Sequence, residues 1–213
     1  MNLTEQLLTL KNNSANNIPK HKWEIMTQST QQLIDAHLSE KACKVGDVLP
    51  DFKLSDVHGN PITLSELLTK GRLVVSFYRG GWCPYCNLEL LALQKHLNVF
   101  KKYGVNLVAI TPETPDNSLT TSEKNKLDFS VLSDIDNTYA KQLGLVFKLP
   151  DNLKQVYHSF GIDVHKHNNN SNYELPMPAT YVINQEGVIS YAFIPEDYTQ
   201  RADVSEVLKH IQN

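Results

Sequence analysis

Hydrophobic positions along most of the chain alternate between the spacing of strands and that of helices. The run Leu73–Tyr78 is β-branched and aromatic, and Asn106–Ile110 has the same character, so both segments predict buried strands. Between them, apolar residues recur at helical spacing until Tyr103-Gly104 ends the pattern. A strand, a helix and a strand over about 40 residues predict a βαβ unit with a right-handed crossover and a parallel strand pair.

Shorter elements are predicted on both sides of this unit. They are strands at Phe52–Leu54 and Ile62–Leu64 around the turn Val57–Asn60, a helix starting at Ser65, a strand at Phe129–Leu132, helical turns at Thr138–Leu143, and a closing helix over 204–211. Thr180–Asn184 and Val188–Ile194 are joined through Gln185-Glu186-Gly187 and predict a β-hairpin. Residues 145–177 are less regular, and we expect His165 and His167 in an exposed loop there. The chain is therefore predicted to be α/β.

The first 44 residues have a different pattern. A polar stretch containing four asparagines (12, 13, 16 and 17) precedes apolar residues that indicate one or two amphipathic helices. We therefore expect residues 1–44 to form an N-terminal helical extension. It would dock either on a domain of residues 45–213 or on a partner subunit.

Composition narrows the possible classes of protein. The chain has 213 residues, a formal net charge of −3 and three cysteines. This argues against a disulfide scaffold and against a dedicated nucleic-acid binder. The N-terminus lacks the pattern of a signal peptide, and no apolar run approaches the roughly 18 residues of a membrane span. We expect a cytoplasmic protein without a membrane or nucleic-acid partner, and in such a reducing compartment a close cysteine pair favours catalysis or metal binding.

Trp82-Cys83-Pro84-Tyr85-Cys86 lies between the predicted buried strand and the start of the following helix. The amides of a first helical turn stabilise an anion, and a thiolate is such an anion. The two intervening residues let the second sulfur reach the first, so a mixed disulfide or a sulfenic acid can be resolved within the chain. Pro84 fits the first helical position. The motif predicts a redox-active pair.

Other roles for these residues remain open. Half a zinc site would need two more ligands, from Cys43 and a histidine, and two inert buried cysteines are a further alternative. Arg79 would favour a thiolate or guide a peroxide oxygen, unless it is a surface arginine. Trp82 would shield the sulfur or simply pack. We expect neither a metal nor a cofactor.

At this motif the sequence resembles a known family. Phe77–Cys86 is similar to the active-site segment of the AhpC/TSA peroxiredoxin-like proteins of the thioredoxin superfamily. Val45–Leu54 resembles the start of that domain, and Pro178–Asn184 resembles its late hairpin. The resemblance implies a thioredoxin-like fold over residues 45–213, with a central mixed sheet flanked by helices. A possible homodimer is an expectation from the family alone.

The sequence departs from the typical family pattern at the site. The PxxxTxxC positions of peroxiredoxins fall on Arg79, Cys83 and Cys86, so the resemblance aligns Cys86 with the attacking cysteine. The position of the family's arginine falls on Pro178. This residue, preceded by Met177, instead resembles the cis-proline that faces the CxxC motif of thioredoxins.

Three functions follow as hypotheses. The first is a thiol peroxidase that reduces hydrogen peroxide or organic hydroperoxides, with Cys86 attacking, Cys83 resolving, and thioredoxin, glutaredoxin or glutathione as reductant. The second is a thioredoxin-like dithiol:disulfide oxidoreductase in which Cys83 attacks and Pro178 presents backbone to the substrate. The third is a binding module whose dithiol only senses redox state.

Five further residues are candidates for a role at the site. Cys43 is expected to be a spare, small apolar residue, although a distal resolving role is an alternative. Glu113 follows a parallel strand at the edge where α/β proteins place their sites, but we expect it in a solvated loop. His167 and its neighbour His165 are expected to be solvated rather than metal-bound. Arg201 would replace the missing family arginine if it approached the site.

Overall fold

The computed structural model describes residues 1–212. Their strands are β1 (Lys53–Asp56), β2 (Pro61–Thr63), β3 (Arg72–Phe77), β4 (Val105–Thr111), β5 (Ser130–Ser133), β6 (Val146–Lys148), β7 (Glu174–Pro176), β8 (Ala179–Ile183) and β9 (Ile189–Phe193). Their helices are α1 (Leu3–Asn17), α2 (Lys20–Asp35), α3 (Leu64–Thr69), α4 (Pro84–Lys102), α5 (Pro115–Asn125), α6 (Thr138–Gln142), α7 (Asp151–Ser159), α8 (Val164–Asn168) and α9 (Val204–Gln212). Two 3₁₀ turns lie at Leu38–Lys41 and Ile135–Asn137.

A mixed sheet of seven strands forms the centre, in the order β2-β1-β5-β4-β3-β8-β9. β3, β4 and β5 run parallel, as the βαβ pattern predicted. β8 is antiparallel to both β3 and β9, so the late hairpin is confirmed. β6 and β7 form a separate antiparallel pair. The arrangement is an α/β thioredoxin-like fold.

Both faces of the sheet are covered, because consecutive side chains of a strand point to opposite sides. Val74 of β3 belongs to a core shared with α1, α4 and α9, whereas Leu73 and Val75 belong to a second core on the other face. Every residue of β3 from Leu73 to Phe77 is buried. This is why the strand reads as an uninterrupted apolar run rather than an alternating one.

The N-terminal segment docks on the domain. Asn2 and Glu5 form a capping box that starts α1, and Leu3 and Leu7 are buried in the same core as α4. α1 packs on α4, and α2 packs on α7. The asparagine-rich stretch is not a separate linker, since α1 continues through it to Asn17. The division of the chain at residues 44 and 45 stays a prediction.

Several helices were missing from the sequence prediction. α5 is largely polar, and its buried residues are Ser118, Thr121 and Asn125, so it carries no apolar stripe. The expected exposed loop around His165 and His167 is wrong, because both residues lie in α8, which Asp163 caps by accepting the Lys166 amide. None of the helices formed by residues 1–212 combines the length and apolarity needed to cross a bilayer.

Candidate active site

The cysteine pair lies at the end of β3, where the chain turns into α4. Cys83 is the N-cap residue of α4 and Pro84 is its first helical residue. Cys86 therefore lies in the first turn, on the same side as the helix amides that favour an anion. Both side chains are free thiols with 0% of their surface exposed. The local sequence thus produces a buried dithiol at a helix N-terminus.

Two glycines allow the loop before Cys83 to pack closely. A Cβ on Gly81 would lie 1.9 Å from Thr121 Oγ1, so α5 leaves no space for a side chain. Gly80 has φ +153°, a conformation that residues with side chains rarely adopt. The Gly81 amide donates to Glu113 Oε2 at 2.8 Å, and Asn87 Nδ2 donates to the Gly81 carbonyl at 2.8 Å. The loop that carries Cys83 is therefore fixed from two sides.

Arg79 is a buried charged group next to the first cysteine. It is only 3% exposed, and its Nη2 donates to Cys83 Sγ at 3.1 Å. Its Nη1 donates to Tyr157 Oη at 2.9 Å, and the guanidinium lies 4.1 Å from the ring centre of Tyr198 and 5.2 Å from that of Trp82. The interpretation of Arg79 as a surface arginine is wrong. Trp82 packs beside this guanidinium.

A second buried arginine reaches the second cysteine from the far end of the chain. Arg201 Nη2 donates to Cys86 Sγ at 3.0 Å, and its Nε donates to Glu89 Oε2 at 2.5 Å. Glu89 also accepts from Thr180 Oγ1 at 3.2 Å. Arg201 therefore does approach the cysteine pair, the condition under which it would replace the missing family arginine.

The two arginines differ in their counter-charges. Arg201 is paired with the Glu89 carboxylate. No carboxylate within residues 1–212 forms an ion pair with Arg79. Of its two hydrogen-bond acceptors, Tyr157 Oη and Cys83 Sγ, burial raises the pKa of the tyrosine, so the sulfur is the group that carries a compensating negative charge. A buried charge is costly unless it is paired. This arrangement favours a thiolate at Cys83 and a neutral thiol at Cys86.

The pKa values of the pair follow this distribution of charge. Burial by itself raises the pKa of Cys83, but a hydrogen bond from Cys86 and the charges of Arg79 and Arg201 outweigh it and hold this pKa well below the ordinary thiol value. Burial raises the pKa of Cys86 well above that value, and the negative charge on Cys83 raises it further. These directions favour a thiolate on Cys83 that accepts a hydrogen bond from the Cys86 thiol.

Glu113 is buried rather than solvated, so the expectation of a solvated loop is wrong. It is 1% exposed, and its Oε1 lies 2.9 Å from His167 Nδ1, without the angle of a hydrogen bond. The other carboxylate oxygen of Glu113, Oε2, accepts a hydrogen bond from the Gly81 amide. The position of Glu113 at the carboxyl end of β4 was the sequence signal for this role.

Pro178 lies at the same end of the sheet as the cysteine loop. It is buried, and the next residue, Ala179, pairs with Phe77 at the end of β3. All peptide bonds of residues 1–212 are trans, so Met177–Pro178 does not match the cis-proline of thioredoxins. A supporting role for Pro178 remains a prediction.

Cys43 lies away from the pair. It packs against the core on the opposite face of the sheet from the one that contains Cys83 and Cys86. Burial raises the pKa of the Cys43 thiol, which makes it less reactive. Residues 1–212 contain no group of three or more histidines, cysteines or carboxylates placed to hold a metal, so the half zinc site lacks its remaining ligands.

Three residues at the site were missed from the sequence. Glu89 follows Cys86 by three positions on the buried face of α4, and a carboxylate on such a face was a usable signal. Tyr157 lies on α7, whose buried residues Leu153 and Val156 show helical spacing. Tyr198 had no local signal, since it lies in the irregular segment before α9.

Known proteins are similar to this chain in sequence. The chain is 31% identical over 102 residues to Peroxiredoxin Bcp of Escherichia coli (strain K12), covering 48% of this chain and 65% of that protein. It is 29% identical over 169 residues to the chloroplastic Peroxiredoxin Q of Sedum lineare, and the match covers 79% of this chain and 77% of that protein. The chain thus spans just under two thirds of the length of the Escherichia coli protein.

Solved structures show the same fold. Peroxidoxin BcpB from Mycobacterium tuberculosis superposes with a TM-score of 0.65 at 24% identity, covering 79% of this chain and 96% of that one. A peroxiredoxin-like protein from Aquifex aeolicus gives a TM-score of 0.63 at 15% identity, and the match covers 80% of this chain and 87% of that one. The AhpC/TSA family profile matches residues 45–192, from the entry to β1 through most of β9. By this match and by the buried dithiol at the start of α4, the chain belongs to the AhpC/TSA family.

Proposed function

We propose that this protein is a thiol-dependent peroxidase that reduces hydroperoxides through Cys83 and Cys86. The observation that carries the proposal is the contact between Arg79 and Cys83 Sγ, in which a buried charge without a carboxylate partner stabilises a thiolate. Only the thiolate attacks a peroxide at a useful rate. The names of the relatives, which are peroxiredoxins, support the same reaction.

The proposed reaction uses both sulfurs. The Cys83 thiolate attacks the terminal oxygen of the hydroperoxide ROOH, the O–O bond breaks, and Cys83 becomes a sulfenic acid. The departing alkoxide takes the proton given up by Cys86 and leaves as ROH. Cys86 then attacks the Cys83 sulfur, a disulfide forms, and hydroxide leaves. One dithiol, or two molecules of a monothiol, then returns two electrons and two protons and restores the pair.

The assignment of the attacking sulfur departs from the one that the resemblance implied. Alignment with the family places the attacking cysteine at Cys86, whereas the charges around the pair favour Cys83. Arg201 also forms an ion pair with Glu89, whereas Arg79 has no carboxylate partner, so Arg201 stabilises a Cys86 thiolate less than Arg79 stabilises a Cys83 thiolate. Cys86 then serves as the resolving thiol and the proton donor.

The burial of the pair favours a small substrate over a protein disulfide. Neither sulfur has exposed surface in the reduced protein, so a small hydroperoxide reaches the reduced pair more readily than the disulfide of a folded protein does. A protein reductant would reach the oxidised pair only after the loop that carries Cys83 moves. We therefore rank the dithiol:disulfide oxidoreductase and the redox-sensing module below the peroxidase. Thioredoxin, glutaredoxin or glutathione as reductant, a cytoplasmic location and a homodimer are further parts of this proposal.

Mass analysis of the intact protein after one equivalent of hydrogen peroxide tests the roles. We expect the wild-type protein to lose two hydrogen atoms as the disulfide forms, and Cys86→Ser to gain one oxygen atom that dimedone traps. Cys83→Ser should stay reduced, because the remaining thiol lacks the unpaired arginine. Cys43→Ser is the matched control and should behave as the wild-type protein does.

Two outcomes would contradict the proposal. Oxidation of Cys83→Ser together with an inert Cys86→Ser would reverse the two roles. Consumption of peroxide by the wild-type protein no faster than by free cysteine would remove the peroxidase function itself.

A further inference from the structure

The hydroxyl of Tyr157 and the sulfur of Cys83 share one guanidinium. Arg79 donates through Nη2 to Cys83 Sγ at 3.1 Å and through Nη1 to Tyr157 Oη at 2.9 Å. The donors of a guanidinium form a rigid planar fork, which elsewhere in proteins binds the two oxygens of one carboxylate. The sulfur and the phenol oxygen therefore lie side by side, on neighbouring nitrogens of the same group.

The Tyr157 hydroxyl keeps a proton that it can donate. Burial raises the pKa of Tyr157, so the phenol stays neutral at physiological pH even beside a guanidinium. Its oxygen accepts from Arg79, but its O–H donates to no group among residues 1–212, and no hydrogen bond joins it to Cys83 Sγ. A buried donor without an acceptor is costly. The hydroxyl is thus available to an oxygen atom that binds beside the sulfur.

Packing fixes the position of this hydroxyl. Tyr157 is only 3% exposed and lies on α7 with the buried residues Leu153 and Val156. Its ring centre lies 5.5 Å from that of Trp82, the residue directly before Cys83. A donor that is already in place does not have to be reoriented when charge develops next to it.

The surroundings of Tyr157 open toward solvent. Two half-open clefts lie between the N-terminal helices and the rest of the protein, and Arg79 and Tyr157 line both of them. Cys83 lines neither cleft. A peroxide that enters from these clefts therefore meets the side chains of Arg79 and Tyr157 before it reaches the sulfur.

Reduction of a hydroperoxide places negative charge on the oxygen that departs. As the Cys83 thiolate bonds to one peroxide oxygen, the O–O bond breaks and the other oxygen takes the electron pair of that bond. A preorganised hydrogen-bond donor at the departing oxygen stabilises this charge where it develops. Arg79 Nη2 is already engaged by the sulfur, whereas the Tyr157 O–H is unused.

We propose that the Tyr157 hydroxyl is a catalytic hydrogen-bond donor to the departing oxygen of the hydroperoxide. This inference rests on the proposed peroxidase function and adds a residue of α7 to its machinery. Tyr157 keeps its own proton throughout the reaction. Cys86 supplies the proton with which the departing oxygen leaves as ROH, or as water from hydrogen peroxide, so the step needs no further reactant.

Tyr157→Phe tests the hydroxyl, because it keeps the ring beside Trp82. We expect the second-order rate constant for oxidation by hydrogen peroxide to fall by about a hundredfold, the lower end of the effect of a lost donor to a developing oxyanion. Peracetic acid is the diagnostic second oxidant, since acetate is a stable leaving group that needs no donor. Its rate constant should fall by about fivefold at most. The midpoint of the ultraviolet thiolate absorbance should not rise, because Arg79 keeps its charge.

Tyr181→Phe is the matched control. Tyr181 is also a buried tyrosine, and its hydroxyl has no partner in the part of the chain that the structure describes. It belongs to the core on the other face of the sheet from Cys83. The same loss of one buried hydroxyl should therefore leave both rate constants unchanged.

The outcomes separate this inference from the proposed function. A Tyr157→Phe protein that reacts with hydrogen peroxide within about threefold of the wild-type rate overturns the inference and leaves the peroxidase standing. Equal losses for hydrogen peroxide and peracetic acid, or a raised thiolate midpoint, also overturn it, since Tyr157 would then act only by positioning Arg79. Retained reactivity with peracetic acid shows that the variant is folded around an intact thiolate. A wild-type protein that reacts with both oxidants no faster than free cysteine removes the proposed function instead.

Discussion

Two buried arginines govern the chemistry at the scale of single residues. Each donates to one sulfur of the pair, but Arg201 is neutralised by Glu89 whereas Arg79 is held by a tyrosine hydroxyl and by aromatic faces. Aromatic rings position a guanidinium without cancelling its charge. The field of Arg79 therefore remains available to the Cys83 sulfur.

Replacing Arg79 by methionine should raise the pKa of the Cys83 thiol, because the positive charge that stabilises the thiolate is removed. The midpoint of the ultraviolet thiolate absorbance then moves to higher pH. Loss of one charge-assisted hydrogen bond, worth about 1.5–3 kcal/mol, should also slow peroxide consumption at neutral pH by about tenfold to a hundredfold. Arg72→Met, at the opposite end of β3, is the control. An unchanged midpoint in Arg79→Met would show that the thiolate does not depend on this charge.

At the scale of elements, the loop before α4 is fixed by its contact with α5. Gly81 passes so close to Thr121 that a single methyl group does not fit, and Glu113 at the end of β4 holds the Gly81 amide. Because the loop carries Cys83 directly to the N-terminus of α4, its position sets the distance between the sulfur and Arg79. The polar helix α5 thus has a structural role at the site.

Gly81→Ala should lower the free energy of unfolding by about 1–3 kcal/mol, the usual cost of overpacking a buried position. Urea denaturation measures this change. Thr121→Ala removes the Oγ1 atom that the new methyl group would meet, so the double variant should be more stable than the sum of the two single effects predicts. If the changes in unfolding free energy of the two single variants simply add in the double variant, the contact between Gly81 and Thr121 is not what makes Gly81→Ala destabilising.

At the scale of the whole molecule, the N-terminal helices contribute buried residues to the main core. Leu3 and Leu7 of α1 are buried with the residues of α4 and α9 that cover one face of the sheet. α2 packs on α7, the helix that carries Tyr157. Folding of the extension is therefore coupled to formation of the site.

Leu7 and Leu8 offer a matched pair for testing this coupling. Leu7 is 5% exposed and Leu8 is 58% exposed, although they are neighbours in the same helix. Leu7→Ala should destabilise the protein by about 2–5 kcal/mol in a single unfolding transition, as for a core leucine. Leu8→Ala should stay within about 0.5 kcal/mol. Similar small effects of both substitutions on the urea midpoint would contradict docking of α1 on the core.

The sequence by itself determined the features that depend on neighbouring residues. Uninterrupted β-branched and aromatic runs placed the central strands, and helical spacing placed α4. The CxxC motif between β3 and α4 located the reactive pair. Gly80 and Gly81 marked the turn. These signals are local, because backbone geometry repeats over two or about four residues.

The tertiary structure decided which distant groups meet the two sulfurs. Arg201 lies 115 positions from Cys86 in sequence, and Glu113 lies 32 positions from Gly81, so no local pattern joins them. The sequence did not show whether Arg79 lies at the surface, and the structure buries it beside Cys83. A buried guanidinium without a carboxylate partner stabilises negative charge on the sulfur that it contacts. The N-terminal helices reach the rest of the protein through α4 and α7, and that packing depends on the path of the whole chain.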